Sequence, residues 1–130
     1  MNEVFGYRRL VAYQKAKEIV KIVYSVLNGF PKEERYAMCE QLRRASISIT
    51  SNIAEGVSRT SVKEKIHFLE IAFCSMMEVS SQLEIACELG YITSSELDTI
   101  DTLIKEEAQV LSGLRKSFRA SELYTINYKL

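Results

Sequence analysis

Apolar residues recur every three or four positions along most of this chain, and the phase of the recurrence resets at a few punctuated sites. From Leu10 to Asn28 one stripe carries Ala12, Ala16, Ile19, Val23 and Val26, widened by Tyr13, Val20 and Leu27. Asn28-Gly29 then supplies a helix stop, and Pro31 suits the opening of the next helix. A second segment, Lys32 to Gly56, sets Met38, Leu42, Ala45, Ile49, Asn52 and Gly56 four and three apart. Within it, Ile47-Ser48-Ile49-Thr50 alternates as a strand does. A strand accounts for those four residues alone, whereas the helical stripe runs through six positions without a break, so the segment is predicted to be helix.

Ser61 with Glu64 three positions on has capping-box spacing and opens a third segment, 62–89. Val62, Ile66, Leu69, Phe73, Met76, Ser80, Leu83 and Cys87 form its a/d line, broadened by Phe68, Ala72, Val79, Ala86 and Leu89. Gly90 is the stop. Thr93 and Glu96 repeat the cap ahead of a fourth segment, 94–118, striped by Leu97, Ile100, Ile104, Leu111, Leu114 and Phe118. Residues 1–9 read as an N-terminal arm and 120–130 as a tail without a clear period. Long helices joined by short loops predict an all-α fold, an up-down-up-down antiparallel four-helix bundle forming one domain over 1–130.

Composition narrows the class. One proline and five glycines leave too few turns for a sheet-rich fold. Seventeen basic side chains balance seventeen acidic ones, which argues against nonspecific coating of nucleic acid, an affinity that comes from neutralising phosphates. The balance is uneven, however: residues 1–60 hold ten Lys/Arg against six Asp/Glu, and 61–92 hold two against five. Cys39, Cys74 and Cys87 lack metal-ligand spacing and read as reduced core thiols in helices. No apolar run suits a signal peptide or a membrane span, which predicts a soluble, cytoplasmic protein with no membrane partner.

Candidate chemistry is sparse. Glu64-Lys65-Ile66-His67 has the Glu-x-x-His spacing of bundle metal sites, but His67 is the single histidine and Glu64 serves better as a cap. No nucleophile elbow or glycine-rich phosphate loop occurs, Gly56 and Gly90 being isolated helix stops, so no catalytic residue, metal, cofactor or small-molecule substrate is expected. Gln41, Ser48, Asn52 and Glu55, with Arg44 and Arg59 between them, form a polar column beside the second stripe. It reads either as a binding groove or as a network fixing helix pairing. The network is favoured, because small and amide side chains can satisfy one another across helices. Ile47 points away from the stripe, and with Phe5, Tyr7, Tyr13 and Tyr24 it predicts self-association. Arg8, Arg9, Lys15, Arg43, Arg44 and Arg59 are candidate phosphate contacts, and Arg115, Lys116 and Arg119 cluster near the end of the fourth segment. The competing class is a pure protein–protein module, its acidic third helix meeting a basic first helix of another subunit.

Several runs carry a family resemblance: Phe30-Pro31-x-x-Glu34, Gln41-Leu42-x-Arg44-Ala45, Ser48, Asn52-Ile53-Ala54-Glu55-Gly56 and Arg59. It continues with Phe68-Leu69-x-x-Ala72, Ser75, Glu78, Gln82-Leu83 and Leu89-Gly90-Tyr91, and with "LVAYQKA" at the start of the first helix. The chain closely resembles the four-helix-bundle family encoded by intervening sequences of bacterial 23S ribosomal RNA genes, whose relatives serve diversity-generating retroelements. The resemblance implies an up-and-down bundle assembled into a ring-like homopentamer. In the retroelement relatives a basic ring works with a reverse transcriptase through nucleic-acid contacts. Those relatives are distinctly basic, whereas this chain is neutral. The resulting expectation is a homo-oligomeric scaffold that binds RNA or a nucleic-acid-bound protein.

Overall fold

The structure, a computed structural model, describes the backbone of residues 5–129 and the side chains of residues 5–123. It contains helices α1 (Val11–Leu27), α2 (Met38–Ser58), α3 (Val62–Glu88) and α4 (Ser94–Lys129), with 3-10 turns at Gly6–Arg9 and Lys32–Glu34. Among the described residues there is no strand, and Ile47 to Thr50 lie inside α2. α1 and α3 each pack against both α2 and α4, most extensively α3 against α2, which makes an antiparallel four-helix bundle. Ile19, Val23, Leu42, Ile49, Ile53, Met76, Leu83 and Ile100 are fully buried along its axis. Each such side chain contributes on the order of 2 kcal/mol by leaving water.

The helix ends follow the caps written in the sequence. Ser61 Oγ accepts the Glu64 N–H at 3.1 Å. Thr93 Oγ1 accepts the Glu96 N–H at 3.0 Å, while the Glu96 carboxylate accepts the Thr93 N–H at 2.9 Å, a complete capping box. Past α3, Gly90 takes φ +82°, and the Tyr91 N–H reaches back to the Ala86 carbonyl at 2.8 Å. That left-handed residue is open to glycine at little cost.

Elsewhere the elements differ from the periodic reading. Pro31 opens only a 3-10 turn, and Ala37, at φ −119° and ψ −100°, separates it from α2. Gly56, expected as a stop, is buried inside α2. A Cβ there would lie 2.9 Å from Phe68 Cβ, so the missing side chain is what lets α2 and α3 approach. The face that α3 turns to the core combines the two lines: Leu69, Met76 and Leu83 of the first and Ala72, Val79 and Ala86 of the second are buried, while Phe73 is 42% exposed and Ser80 and Cys87 are half-buried. α4 runs on through the aperiodic tail to Lys129, since an established helix extends one hydrogen bond at a time without needing a buried face.

Candidate nucleic-acid interface

The polar column sorts itself by depth. Ser48 Oγ meets Ser75 Oγ of α3 at 2.8 Å, and Asn52 Nδ2 donates to the Ser48 carbonyl at 2.8 Å and to its Oγ at 3.0 Å. Asn52 is therefore half-buried at the α2–α3 seam and not in the core. Gln41 lies on the surface, where its Oε1 accepts from Gln82 Nε2 of α3 at 3.2 Å. Glu55, also exposed, pairs with Arg59 at 2.5 Å. The column thus joins α2 to α3 at two levels, Ser48 to Ser75 and Gln41 to Gln82.

The six candidate phosphate contacts do not form one patch. Arg8 and Arg9 occupy the 3-10 turn ahead of α1, and Arg59 caps the end of α2. In an antiparallel bundle these share one pole. A groove there is lined by Phe5, Tyr7, Leu10, Val57, Leu114 and Phe118, which come from the arm, the end of α2 and α4. Lys15 sits one turn inward and is held at 3.0 Å by Glu106 of α4. That carboxylate, by hydrogen bond and charge, raises the lysine's pKa. Arg43 and Arg44 lie near the opposite pole, about 24 Å from Arg59 at 1.5 Å per residue along α2. Arg44 pairs with Glu40 at 3.4 Å. Arg59 faces Glu64 at 3.9 Å as well as Glu55, and its guanidinium lies 4.7 Å from the Phe68 ring centre.

Folding the chain up and down redistributes charge that looks balanced in sequence. The half-bundle built from residues 5–18, 49–74 and 107–123 holds ten Lys/Arg against six Asp/Glu. The half built from 19–48 and 75–106 holds six against ten. Arg115, Lys116 and Arg119 fall in the basic half, beside the start of α3, where Arg115 pairs with Glu70 at 3.3 Å. At the acidic pole Glu84, Asp98 and Asp101 crowd together, and burial followed by the charge of Asp98 raises the Asp101 pKa. Neutral as a whole, the molecule is polarised along its axis.

One residue escaped the sequence reading. Glu107 is fully buried, and neither carboxylate oxygen has a hydrogen-bond partner. It occupies the step between Ile104 and Leu111 in the α4 stripe, so the signal was present as a gap in an otherwise regular line. Burial pushes its pKa from an ordinary 4.5 up to about 8, with Lys15 of α1 opposing the shift and Glu18 adding to it.

Other expected sites disperse. His67 is exposed and stands edge-on to Phe68, while Glu64 stays at its cap. Among the described residues no cluster of His, Cys, Asp or Glu has the makings of a metal site, and no helix is long and apolar enough to cross a membrane. Cys39 is buried and Cys87 half-buried, but Cys74 is exposed in a groove of about 400 Å³ between α3 and α4. Ile47 is 44% exposed. Phe73, Met77, Ile85 and Leu89 form a further exposed apolar ridge along the outer face of α3.

Capped antiparallel helices, a close α2–α3 seam and surface charge split between two poles define a helical-bundle protein with no assembled catalytic centre among its described residues. The chain belongs to the 23S rRNA-intervening sequence protein family, whose model matches residues 8–113. It is similar in structure to a Bacteroides thetaiotaomicron VPI-5482 protein described as having unknown function and coming from the S23 ribosomal protein family. The two are 28% identical with a TM-score of 0.71, over 82% of this chain and 99% of that one. No curated protein matches the chain.

Proposed function

We propose that this chain is a non-enzymatic, cytoplasmic scaffold that assembles with copies of itself, as a pentamer, and binds RNA or a protein–RNA complex through its basic half. The observation that carries the reading is the axial division of charge. Ten cations against six anions at one end give a local field that a net charge of zero conceals, and such a field draws a polyanion in. Self-assembly is supported by the ridge of Phe73, Met77, Ile85 and Leu89, each between 40% and 55% exposed. A set of exposed apolar side chains of this kind on one helix is what a subunit contact covers.

The competing reading, a protein–protein module without nucleic acid, has its own support in Glu78, Glu84 and Glu88 beside that ridge. They complement Lys17 and Lys21 on α1 of another copy. Solution mass and RNA affinity, measured on one preparation, separate the two. An oligomer that binds RNA with an affinity falling steeply as salt rises supports the scaffold. An intact oligomer that binds no RNA even at low salt supports the module. A monomer contradicts both.

A further inference from the structure

Resting on the RNA reading above, we infer that the basic pole is a stacking platform for the unpaired bases of single-stranded RNA. Five cation–aromatic contacts occur among the described residues, and all lie in the basic half. The Arg8 guanidinium is 5.6 Å from the Phe5 ring centre and 5.7 Å from that of Tyr7. Lys17 is 5.4 Å from Tyr13, Arg59 is 4.7 Å from Phe68, and Lys65 is 5.1 Å from Phe118. Energetically significant contacts of this kind occur about once per 70–80 residues, or about two in a chain of this length.

The rings are arranged in sequence. Phe5 stacks on Tyr7 with centres 6.3 Å apart and planes 22° from parallel, and Tyr7 meets Tyr13 edge-on at 4.8 Å. Phe5 remains 54% exposed beside the groove it shares with Leu114 and Phe118. A row of partly solvated ring faces interleaved with cations offers two things at once: π-surface for bases and positive charge for the linking phosphates. A duplex can use the charge but not the ring faces, since its bases are already stacked. An acidic peptide likewise uses only the charge. The acidic pole shows the contrast: its ring pair, Phe30 and Tyr91, packs at 5.3 Å with the Tyr91 hydroxyl donating to Glu34 and no cation over either face. Phe5, Tyr7, Arg115 and Phe118 all lie outside residues 8–113, so the platform is not implied by membership of the family.

Fluorescence anisotropy with a short single-stranded RNA, and with the same strand in a blunt duplex, tests this at one salt concentration. The protein is expected to prefer the single strand. Phe5→Ala and Phe5→Leu should each weaken single-strand binding about tenfold while leaving duplex binding and far-ultraviolet circular dichroism unchanged, and Phe5→Trp should restore it. Equal affinity for strand and duplex, or single-strand binding indifferent to Phe5→Ala and Phe5→Leu, would overturn the platform while leaving the basic-half reading standing. Polyglutamate binding as tight as RNA would identify an acidic protein partner and overturn it too. Absence of salt-sensitive binding to either RNA would instead remove the reading on which the platform rests.

Discussion

The α2–α3 seam and the α1–α4 seam lie on opposite sides of the same core and are built by opposite rules. Where α2 meets α3, Gly56, Ala45, Ala72 and Ser75 keep the side chains small, and the polar atoms of Ser48 and Asn52 find partners at 2.8–3.0 Å. Where α1 meets α4, a fully buried carboxyl group has no hydrogen bond, and Lys15 is engaged by the neighbouring Glu106. The first seam is close-packed and pairs its hydroxyl and Asn52 amide groups, leaving one amide oxygen, Gln82 Oε1, buried without a partner. The second holds back stability at neutral pH, because a buried polar group without a partner is among the costlier features a fold can retain. α2 and α3 therefore make the rigid pair, and the α1–α4 seam is the place where this bundle gives way first.

Glu107 offers the largest lever on that contrast. Its folded pKa is about 8 against an ordinary 4.5, so between those values the unfolded chain sheds the proton while the folded chain keeps it. Stability attributable to this residue is full below about pH 4.5, falls as pH rises, and levels off above about pH 8. The total is roughly 5 kcal/mol at most. Glu107→Gln, which copies the shape of the protonated acid, should raise stability by several kcal/mol at pH 8 and by almost nothing at pH 4.5. Urea melts of both proteins at the two pH values check it, and a gain independent of pH would mean the carboxyl is already solvated.

The opposite seam should respond with loss. Gly56→Ala places a methyl group 2.9 Å from Phe68 Cβ and 3.2 Å from the Lys65 carbonyl oxygen, which forces α2 and α3 apart. Overpacking of this kind costs about 1–3 kcal/mol, against about 1 kcal/mol recovered from alanine's better helix propensity. A net drop in the urea midpoint is expected, and a rise would show the seam to be looser than its geometry. Smaller still, Ser75→Ala removes the cross-helix partner of Ser48 and should cost about 1 kcal/mol. Adding Ser48→Ala should bring no recovery, because Ser48 Oγ still accepts from Asn52 Nδ2 after the first change.

Much of this was legible in the chain. Both capping spacings, at Ser61 and Thr93, formed as hydrogen bonds, and the helical stripe correctly outweighed the four-residue alternation at Ile47. Which members of the two apolar lines on α3 would face the core was not legible, because periodicity fits both: Leu69, Met76 and Leu83 of one and Ala72, Val79 and Ala86 of the other are buried together. Gly56 itself looked like a helix stop because a glycine near a segment's end commonly is one. Glu107 was visible only as a skipped position in the α4 stripe. Charge was hardest to read, since blocks along the sequence do not correspond to poles. Arg43 and Arg59 belong to α2 and its cap yet stand at opposite ends, while Arg8 and Arg119, far apart in the chain, share one.

That polarity is the claim most worth testing, and two double charge reversals compared side by side test it. RNA affinity of the Arg115→Glu/Arg119→Glu protein and of the Arg43→Glu/Arg44→Glu protein should be measured at one low salt concentration, with circular dichroism as the control for folding. The account predicts that the first change abolishes most RNA binding and flattens its salt dependence, while the second leaves most of it in place. Equal losses from the two pairs, or a larger loss from Arg43 and Arg44, would contradict it.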